Sequence, residues 1–295
     1  MERINLSNLL KANDLVAFFT SSNAISKFSK QNIEALREIL NSFGINVIYK
    51  DNLFAEKTGN PFNFPANEKA EYLNELFANK QVKAIFDLSG GDLSNSILDY
   101  LDFDLIKSNP KLFFGYSDVS PILNVINNKC GFPTFHYQLR HLINGDFKEK
   151  QIEDFKKSII GTDSELFNFD YQFIKGNSLS GRVVGGNIRC LLKLAGTPYL
   201  PDFKDKILFL ESYSGNAAKI YTYLTQYKQM GILNNVKGII LGTFTEMSLN
   251  NISPTVEEML IDVLGEDSEI PIIKTDSLGH GSDAKCLIIG KNYKF

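Results

Sequence analysis

The sequence is poor in the residues on which many catalytic and metal-binding sites depend. Its 295 residues include no tryptophan, three cysteines and three histidines. Cys130, Cys190 and Cys286 lie far apart and form no C-x-x-C pair, which argues against a zinc cluster and against a disulfide scaffold. We therefore expect reduced, mostly buried thiols and no bound metal.

An excess of basic charge is also lacking. Lysine and arginine number 31 against 34 aspartates and glutamates, a formal net charge of −3, so neither nucleic acid nor anionic lipid is expected as the main partner. We see no signal peptide, and no apolar run approaches the roughly 18 residues needed to span a bilayer. The sequence thus predicts a cytoplasmic protein that does not bind a membrane.

What the sequence does contain is an alternation of strand-like and helix-like segments. In the first half, strands are predicted at 15–20, 45–49, 82–88 and 112–114, and helices at 29–43, 68–77, 94–101 and 119–129. Strands that alternate with helices of this length predict an α/β fold with a parallel sheet.

A charged segment at 146–180 interrupts this pattern, and a second unit follows it. There we predict strands at 206–211, 237–244, 270–274 and 285–289, and helices at 217–230 and 255–264. We place an N-terminal domain at residues 1–150, a linker at 151–180 and a C-terminal domain at 181–295.

Ser117 is the first candidate for chemistry, because ligands of open α/β sheets bind at the carboxyl ends of strands. It follows the strand at 112–114, two residues after a glycine, and a helix begins at once, as in a nucleophile elbow. The G-x-S-x-G pattern is incomplete, since a valine replaces its second glycine. An ordinary helix start, with Ser120 as N-cap and Pro121 in the first turn, would leave Ser117 unexplained.

Two other strand ends carry candidate groups. Gly90 and Gly91 could present backbone N–H donors to a ligand, although most glycine pairs are simply tight turns. Glu211 ends an apolar strand, where a carboxylate is costly unless it is paired or lies at the rim of the sheet.

His280 lies between two glycines, on a turn that suits a base that must reach a substrate. His136 and His141 lie among aromatic and basic residues, and we interpret them as packing or surface histidines. A serine at an elbow, a histidine, an acid and backbone donors are the parts of a serine hydrolase. Their order along the chain permits a catalytic triad but does not diagnose one.

A family resemblance rests on a combination of sequence segments. They are YLDFDLIKSNPK, GYSD, GGN, GTPYLPD, KILFLE and the late GHG turn. Over nearly its whole length the sequence resembles the LD-carboxypeptidase family of serine peptidases, which includes muramoyltetrapeptide carboxypeptidases and microcin-immunity peptidases. The resemblance implies a Rossmann-like N-terminal domain, a C-terminal domain with a small β-barrel-like sheet, an active site between them, and a homodimer.

The resemblance also implies roles for individual residues. Ser117 would be the nucleophile, Glu211 the acid and His280 the general base. The backbone N–H of Asp118 and one from Gly90-Gly91 would form the oxyanion hole. This chemistry needs no metal and no cofactor.

The substrate stays open between two branches of the family. The preferred interpretation is an LD-carboxypeptidase that removes the terminal D-amino acid from cytoplasmic muropeptides; the alternative is cleavage of an aminoacyl-nucleotide toxin of the microcin type. Ser89 and Asp92 flank the glycine pair where many muramoyl-peptide members have Arg and Tyr, and Tyr137-Gln138 also departs from the family pattern. The missing tryptophan disfavours a nucleobase.

Arg140, Arg182 and Arg189 could each bind a substrate carboxylate, but we favour surface or structural ion pairs for any one of them. A non-catalytic peptide-binding cleft is a further alternative. A nucleotide-binding Rossmann protein is disfavoured, since no glycine-rich phosphate motif follows the first strand.

Overall fold

The computed structural model describes residues 6, 8–55, 60–62 and 64–295. In those residues the strands are β1 (Leu15–Phe19), β2 (Asn46–Ile48), β3 (Val82–Asp87), β4 (Leu112–Gly115), β5 (Thr134–His136), β6 (Gln172–Lys175), β7 (Ser180–Asn187), β8 (Ile207–Ser212), β9 (Gly238–Phe244), β10 (Ile272–Lys274), β11 (Leu287–Ile289) and β12 (Asn292–Lys294). The α-helices are α1 (Lys30–Ser42), α2 (Ala66–Ala78), α3 (Phe103–Ser108), α4 (Ser120–Cys130), α5 (Lys148–Ile159), α6 (Ile188–Leu191), α7 (Ala217–Gln229), α8 (Thr245–Leu249) and α9 (Val256–Leu264).

The first sheet has the order β2-β1-β3-β4-β5-β11. The strands from β2 to β5 run parallel, and β11 is antiparallel to β5. Phe86, Phe114 and Phe135 stack across three neighbouring strands, with ring centroids 4.7 Å and 4.5 Å apart. Because both faces of this sheet are covered, its central strands are continuous apolar runs rather than alternating ones.

The second sheet has the order β12-β7-β8-β9-β10-β6 and curls into a half-barrel. Strands β7 to β10 run parallel, whereas β12 and β6 close the two edges in antiparallel pairs. Every residue of β8 is buried. The predicted α/β fold, with a parallel-rich sheet in each half, is confirmed.

The helix predicted at 94–101 is present as a 3-10 helix over Ser94–Tyr100. One assignment of a strand needs correction. The predicted strand at 285–289 does not close the second unit, because β11 hydrogen-bonds to β5 in the first sheet. The division into an N-terminal domain, a linker and a C-terminal domain stays a prediction.

The charged segment at 146–180 contains the helix α5 and the strand β6, which lies at an edge of the second sheet. Among the helices of the described residues, none is long and apolar enough to cross a membrane.

Candidate active site

Ser117 lies on a sharp turn between β4 and α4. Its φ of +54° is left-handed, a conformation that non-glycine residues seldom adopt and that often marks functional sites. Gly115 makes the turn possible, because a Cβ at that position would lie 2.6 Å from Cγ1 of Val119. Ser120 does not cap α4: the helix begins at Ser120, whose hydroxyl accepts a hydrogen bond from the backbone N–H of Asn187 at 2.9 Å.

Asp118 anchors this elbow from the inside. Its carboxylate is fully buried and accepts hydrogen bonds from the Ser22 hydroxyl at 2.6 Å and the Ser94 backbone N–H at 3.0 Å. The ammonium group of Lys193 forms an ion pair with it. The side chain of Asp118 is therefore occupied in holding the turn, and the predicted role in an oxyanion hole concerns only its backbone N–H.

The glycine pair after β3 divides into two environments. Gly90 lines the same cavity as Ser117, which we call the site cavity. A Cβ at Gly90 would meet no atom within 4 Å. Gly91 has φ +117°, and its Cβ would lie 2.2 Å from Cγ of Asn23, so close packing of two loops requires glycine at this position. Arg189 holds the turn by donating to the Gly91 carbonyl at 3.2 Å and pairing with Asp92 at 2.5 Å.

His280 and Glu211 are joined by a short hydrogen bond. Nδ1 of His280 lies 2.5 Å from Oε2 of Glu211. Thr243 Oγ1 accepts the backbone N–H of His280 at 2.9 Å and so fixes the turn that carries the imidazole. Burial acts to raise the pKa of Glu211, but His280 and His136 outweigh it, and the pKa lies below its ordinary value. Glu211 is therefore an ionised carboxylate at neutral pH, inside the protein and paired.

The other two histidines lie beside this pair rather than on the surface. His136 is buried against Phe209, and its Nε2 is 4.0 Å from Oε1 of Glu211. His141 is also buried and lines the site cavity. Burial lowers the pKa of each of these histidines to about 4, so both are neutral at physiological pH. The packing interpretation of the sequence missed this proximity, because it depends on strands that are distant along the chain.

One cavity of about 500 Å³ lies where the loops of the two sheets meet. Ser117 and His280 both face it, and Glu211 stands behind the imidazole. The rings of Tyr116 and Tyr213 flank His280 with centroids 4.5 Å and 5.2 Å away. The full lining consists of Gly90, Tyr116, Ser117, Gln138, Arg140, His141, Asn144, Gly145, Tyr213, His280 and Ser282.

The described residues contain no group of three or more His, Cys, Asp or Glu side chains placed to hold a metal ion. The three thiols are buried and free, as expected. Burial raises the pKa of Cys130 to about 11, so this thiol is uncharged and unreactive at neutral pH.

Two family models match the chain. The description LD-carboxypeptidase N-terminal domain covers residues 16–137, and LD-carboxypeptidase C-terminal domain covers residues 180–295. The chain belongs to the LD-carboxypeptidase family. It is a serine-type carboxypeptidase, and the family resemblance drawn from the sequence is confirmed.

Three similar proteins show what the known relatives of this chain are. A Treponema pallidum protein named as a carboxypeptidase is 30% identical over 96% of this chain and 89% of its own. A Bacillus subtilis protein named as a murein peptide carboxypeptidase is 28% identical over 76% of this chain and 72% of its own. A structure of the microcin C7 self-immunity protein MccF of Escherichia coli, in complex with glutamyl sulfamoyl guanosine, superposes with a TM-score of 0.83 at 25% identity, covering 97% of this chain and 94% of the other.

Proposed function

We propose that this LD-carboxypeptidase hydrolyses the amide bond to a C-terminal D-amino acid of cytoplasmic muropeptides through a triad of Ser117, His280 and Glu211. The observation that carries the proposal is the placement of His280. Its Nδ1 is tied to a buried carboxylate while its ring lines the same cavity as a serine on a strained elbow. The relationship to a murein peptide carboxypeptidase supports the choice of substrate.

The hydrogen bond to Glu211 sets the tautomer of His280. With the proton on Nδ1 donated to Oε2 of Glu211, Nε2 is left as the acceptor that a general base needs. Because the pKa of Glu211 lies below its ordinary value, this carboxylate stays ionised and stabilises the imidazolium that forms during the reaction.

The reaction then has two steps, acylation of Ser117 and hydrolysis of the acyl-serine. Nε2 of His280 takes the proton of the Ser117 hydroxyl as Oγ attacks the amide carbonyl, and the oxyanion is held by the backbone N–H of Asp118 and one from the Gly90-Gly91 turn. The imidazolium returns the proton to the leaving amine, which departs as the free D-amino acid. Water, deprotonated by His280, then attacks the acyl-serine. The imidazolium passes that proton to Oγ of Ser117 as the acyl–oxygen bond breaks, which releases the shortened peptide and restores the free serine.

The test is the hydrolysis of a defined muramoyl tetrapeptide, followed by mass spectrometry of the released D-alanine. The wild type should release it and react with a fluorophosphonate probe. Ser117→Ala should lose several orders of magnitude in rate and all labelling, because the nucleophile is gone while the oxyanion donors remain. Ser108→Ala, an exposed serine of α3, is the matched control and should behave as the wild type. Full activity of Ser117→Ala, or a wild type that the probe never labels, would refute the triad.

A second candidate function is cleavage of an acyl-sulfamoyl nucleoside. The superposition on MccF over nearly the whole chain favours it, because that protein was solved with glutamyl sulfamoyl guanosine. This chain has no tryptophan to stack on a nucleobase, which favours the muropeptide. Parallel assays with the tetrapeptide and with aspartyl sulfamoyl adenosine would separate the two activities.

A further inference from the structure

One wall of the site cavity carries three polar side chains, two of which have a buried nitrogen with no hydrogen-bond partner among the described residues. They are Gln138, Arg140 and His141, and they follow β5 directly in the sequence. No aspartate or glutamate is found among the described residues that line the cavity. The wall therefore combines one positive charge with neutral hydrogen-bonding groups.

Gln138 supplies a buried donor with no acceptor. Its side chain is 1% exposed, and Oε1 accepts the backbone N–H of Arg140 at 3.3 Å. This contact fixes which end of the amide is oxygen, since the other end would present a donor to a donor. Nε2 is buried and has no hydrogen-bond partner among the described residues. A buried amide left unpaired costs free energy that a ligand acceptor in the cavity would recover.

Arg140 is the arginine whose guanidinium faces the cavity. Arg189 is paired with Asp92 at 2.5 Å, and Arg182 donates to Asn127 at 3.5 Å, whereas no ion pair links Arg140 to an acid in the described part of the chain. Its guanidinium forms a hydrogen bond with the phenol of Tyr116, which carries no charge to neutralise it. Burial raises the pKa of that phenol although the charge of Arg140 opposes the rise, so the phenol is neutral. The charge of Arg140 is thus available to a ligand.

His141 completes the wall as a neutral group. Burial first, and then the neighbouring His280 and Arg140, lower the pKa of its imidazole to about 4. Its Nε2 is buried without a hydrogen-bond partner among the described residues. A neutral imidazole there can donate one hydrogen bond without adding a second positive charge beside Arg140.

We propose that Arg140 and Gln138, assisted by His141, form the subsite for the free α-carboxylate of the residue that the enzyme releases. This proposal rests on the proposed function, because the scissile amide of a carboxypeptidase substrate lies one residue from that carboxylate. A guanidinium fork can bind both carboxylate oxygens, and the Gln138 amide adds a third donor. The same wall then explains why an exopeptidase requires a free C-terminus.

The experiment compares the muramoyl tetrapeptide with the same peptide carrying a C-terminal carboxamide. Binding of each is measured by calorimetry on Ser117→Ala, which removes hydrolysis from the readout, and kcat/KM is measured on the otherwise unchanged enzyme. We expect a preference for the free acid on the order of 100-fold or more, since a site built for a charged group rejects a neutral analogue. Arg140→Gln should collapse this preference, and Arg140→Lys should restore only part of it because lysine keeps the charge without the fork.

A second variant tests the donor separately from the charge. Gln138→Glu keeps an oxygen that accepts the Arg140 backbone N–H but replaces the free N–H donor with a carboxylate oxygen. This variant should weaken binding of the free-acid peptide more than binding of the carboxamide peptide, because the new oxygen repels the substrate carboxylate. Arg37→Gln, on the outer face of α1, is the matched control for loss of an arginine and should leave the preference unchanged.

Each outcome bears on one claim. An acid preference that is absent in the wild type, or that survives in Arg140→Gln, overturns the subsite even when fluorophosphonate labelling confirms Ser117. A chain that binds the acid selectively through Arg140 but is never labelled keeps the subsite and refutes the triad. If Arg140→Gln weakens the binding of aspartyl sulfamoyl adenosine but not that of the free-acid peptide, Arg140 does not bind the α-carboxylate, and the carboxylate assignment falls.

Discussion

Gly279 determines where the imidazole of His280 stands. Its φ is +121°, and a Cβ at this position would lie 2.3 Å from Oγ1 of Thr243 and 3.0 Å from Oε2 of Glu211. Those are the two groups that hold the backbone and the ring of His280. A methyl group would therefore push directly against the hydrogen bond between the predicted base and its acid.

We expect Gly279→Ala to lower kcat by at least about 10-fold, because a displacement near 1 Å in a catalytic group is costly. The strained backbone should also cost about 1–3 kcal/mol of stability. Peptide hydrolysis and thermal unfolding measure the two effects. Gly265→Ala is the control, since Gly265 has φ +95° but no atom within 4 Å of the added Cβ. Equal losses of activity in both variants would show that strain alone is responsible.

His136 makes stability depend on pH. Burial lowers its pKa to about 4, even though Glu211 acts in the opposite direction, while an unfolded histidine titrates near 6.5. The unfolded chain therefore binds more protons between these values, so the neutral His136 contributes stability fully above pH 6.5 and loses it as pH falls toward 4.

The measurement is the free energy of unfolding in urea between pH 7 and pH 5. Replacing the imidazole by an uncharged side chain in His136→Gln should reduce the slope of stability against pH by up to about 1.4 kcal/mol per pH unit. Titrating groups that do not interact with His136 are common to both proteins and cancel in the difference. Identical slopes would contradict a neutral His136.

The sequence was sufficient to find candidate residues at strand ends, but not the residues that lie next to them in the folded protein. Ser117, Glu211 and His280 stand out because each follows a readable strand or glycine signal. The approach of His136 to Glu211 could not be predicted, since β5 and β8 belong to different sheets and no local pattern relates them. Arg140 was one of three arginines that could bind a carboxylate. The sequence could not distinguish it from Arg182 and Arg189, because only the structure shows which arginines already have side-chain partners.

At the scale of elements, α6 and the 3-10 turn Leu192–Leu194 connect the two sheets. They follow β7 of the second sheet, yet their side chains bind to loops of the first sheet. Arg189 pairs with Asp92, and Lys193 pairs with buried Asp118 and donates to the Asp92 carbonyl at 2.7 Å. This short segment therefore holds both the glycine turn and the serine elbow.

Lys193→Met should cost about 3–5 kcal/mol, because it leaves the Asp118 carboxylate buried without its cation. We also expect slower fluorophosphonate labelling, since the elbow loses an anchor. Chemical unfolding and labelling kinetics are the measurements. Lys157→Met removes an exposed pair with Glu153 and should leave stability nearly unchanged. A Lys193 variant as stable as this control would mean that the buried pair contributes nothing.

Strands and helices with clear periodicity were predictable, whereas sheet membership was not. The alternation in the first half located β1 to β4 and the helices α1, α2 and α4 to within a few residues, whereas α3 and β5 were not predicted. The strand β11 was recognised but was placed in the second unit, whereas it pairs with β5 of the first sheet. Hydrophobicity shows that a strand is buried and not which sheet edge it joins. The 3-10 form of Ser94–Tyr100 has no distinct sequence signal either.

At the scale of the whole molecule, β11 and β12 lie in different sheets although Gly290 and Lys291 alone separate them. β11 completes the first sheet beside β5, and β12 closes the second beside β7. Because one short segment belongs to both sheets, neither can unfold without disturbing the other.

We therefore expect a single thermal transition, in which far-UV circular dichroism and fluorophosphonate labelling are lost together. Ile288→Ala, in buried β11, should lower stability by about 2–5 kcal/mol and keep one transition. Leu249→Ala, at an exposed position, should change little. Two resolved transitions in the wild type would contradict the coupling of the sheets.

The position of β11 also has a consequence for biosynthesis. The ribosome completes β5 long before it reaches residues 287–289, so the nascent chain carries an open strand edge throughout synthesis of the second sheet. Unpaired edges invite association with other chains. Because the proposed base His280 also arrives late, we expect a nascent chain to be inactive, with this edge unpaired, until both sheets are made.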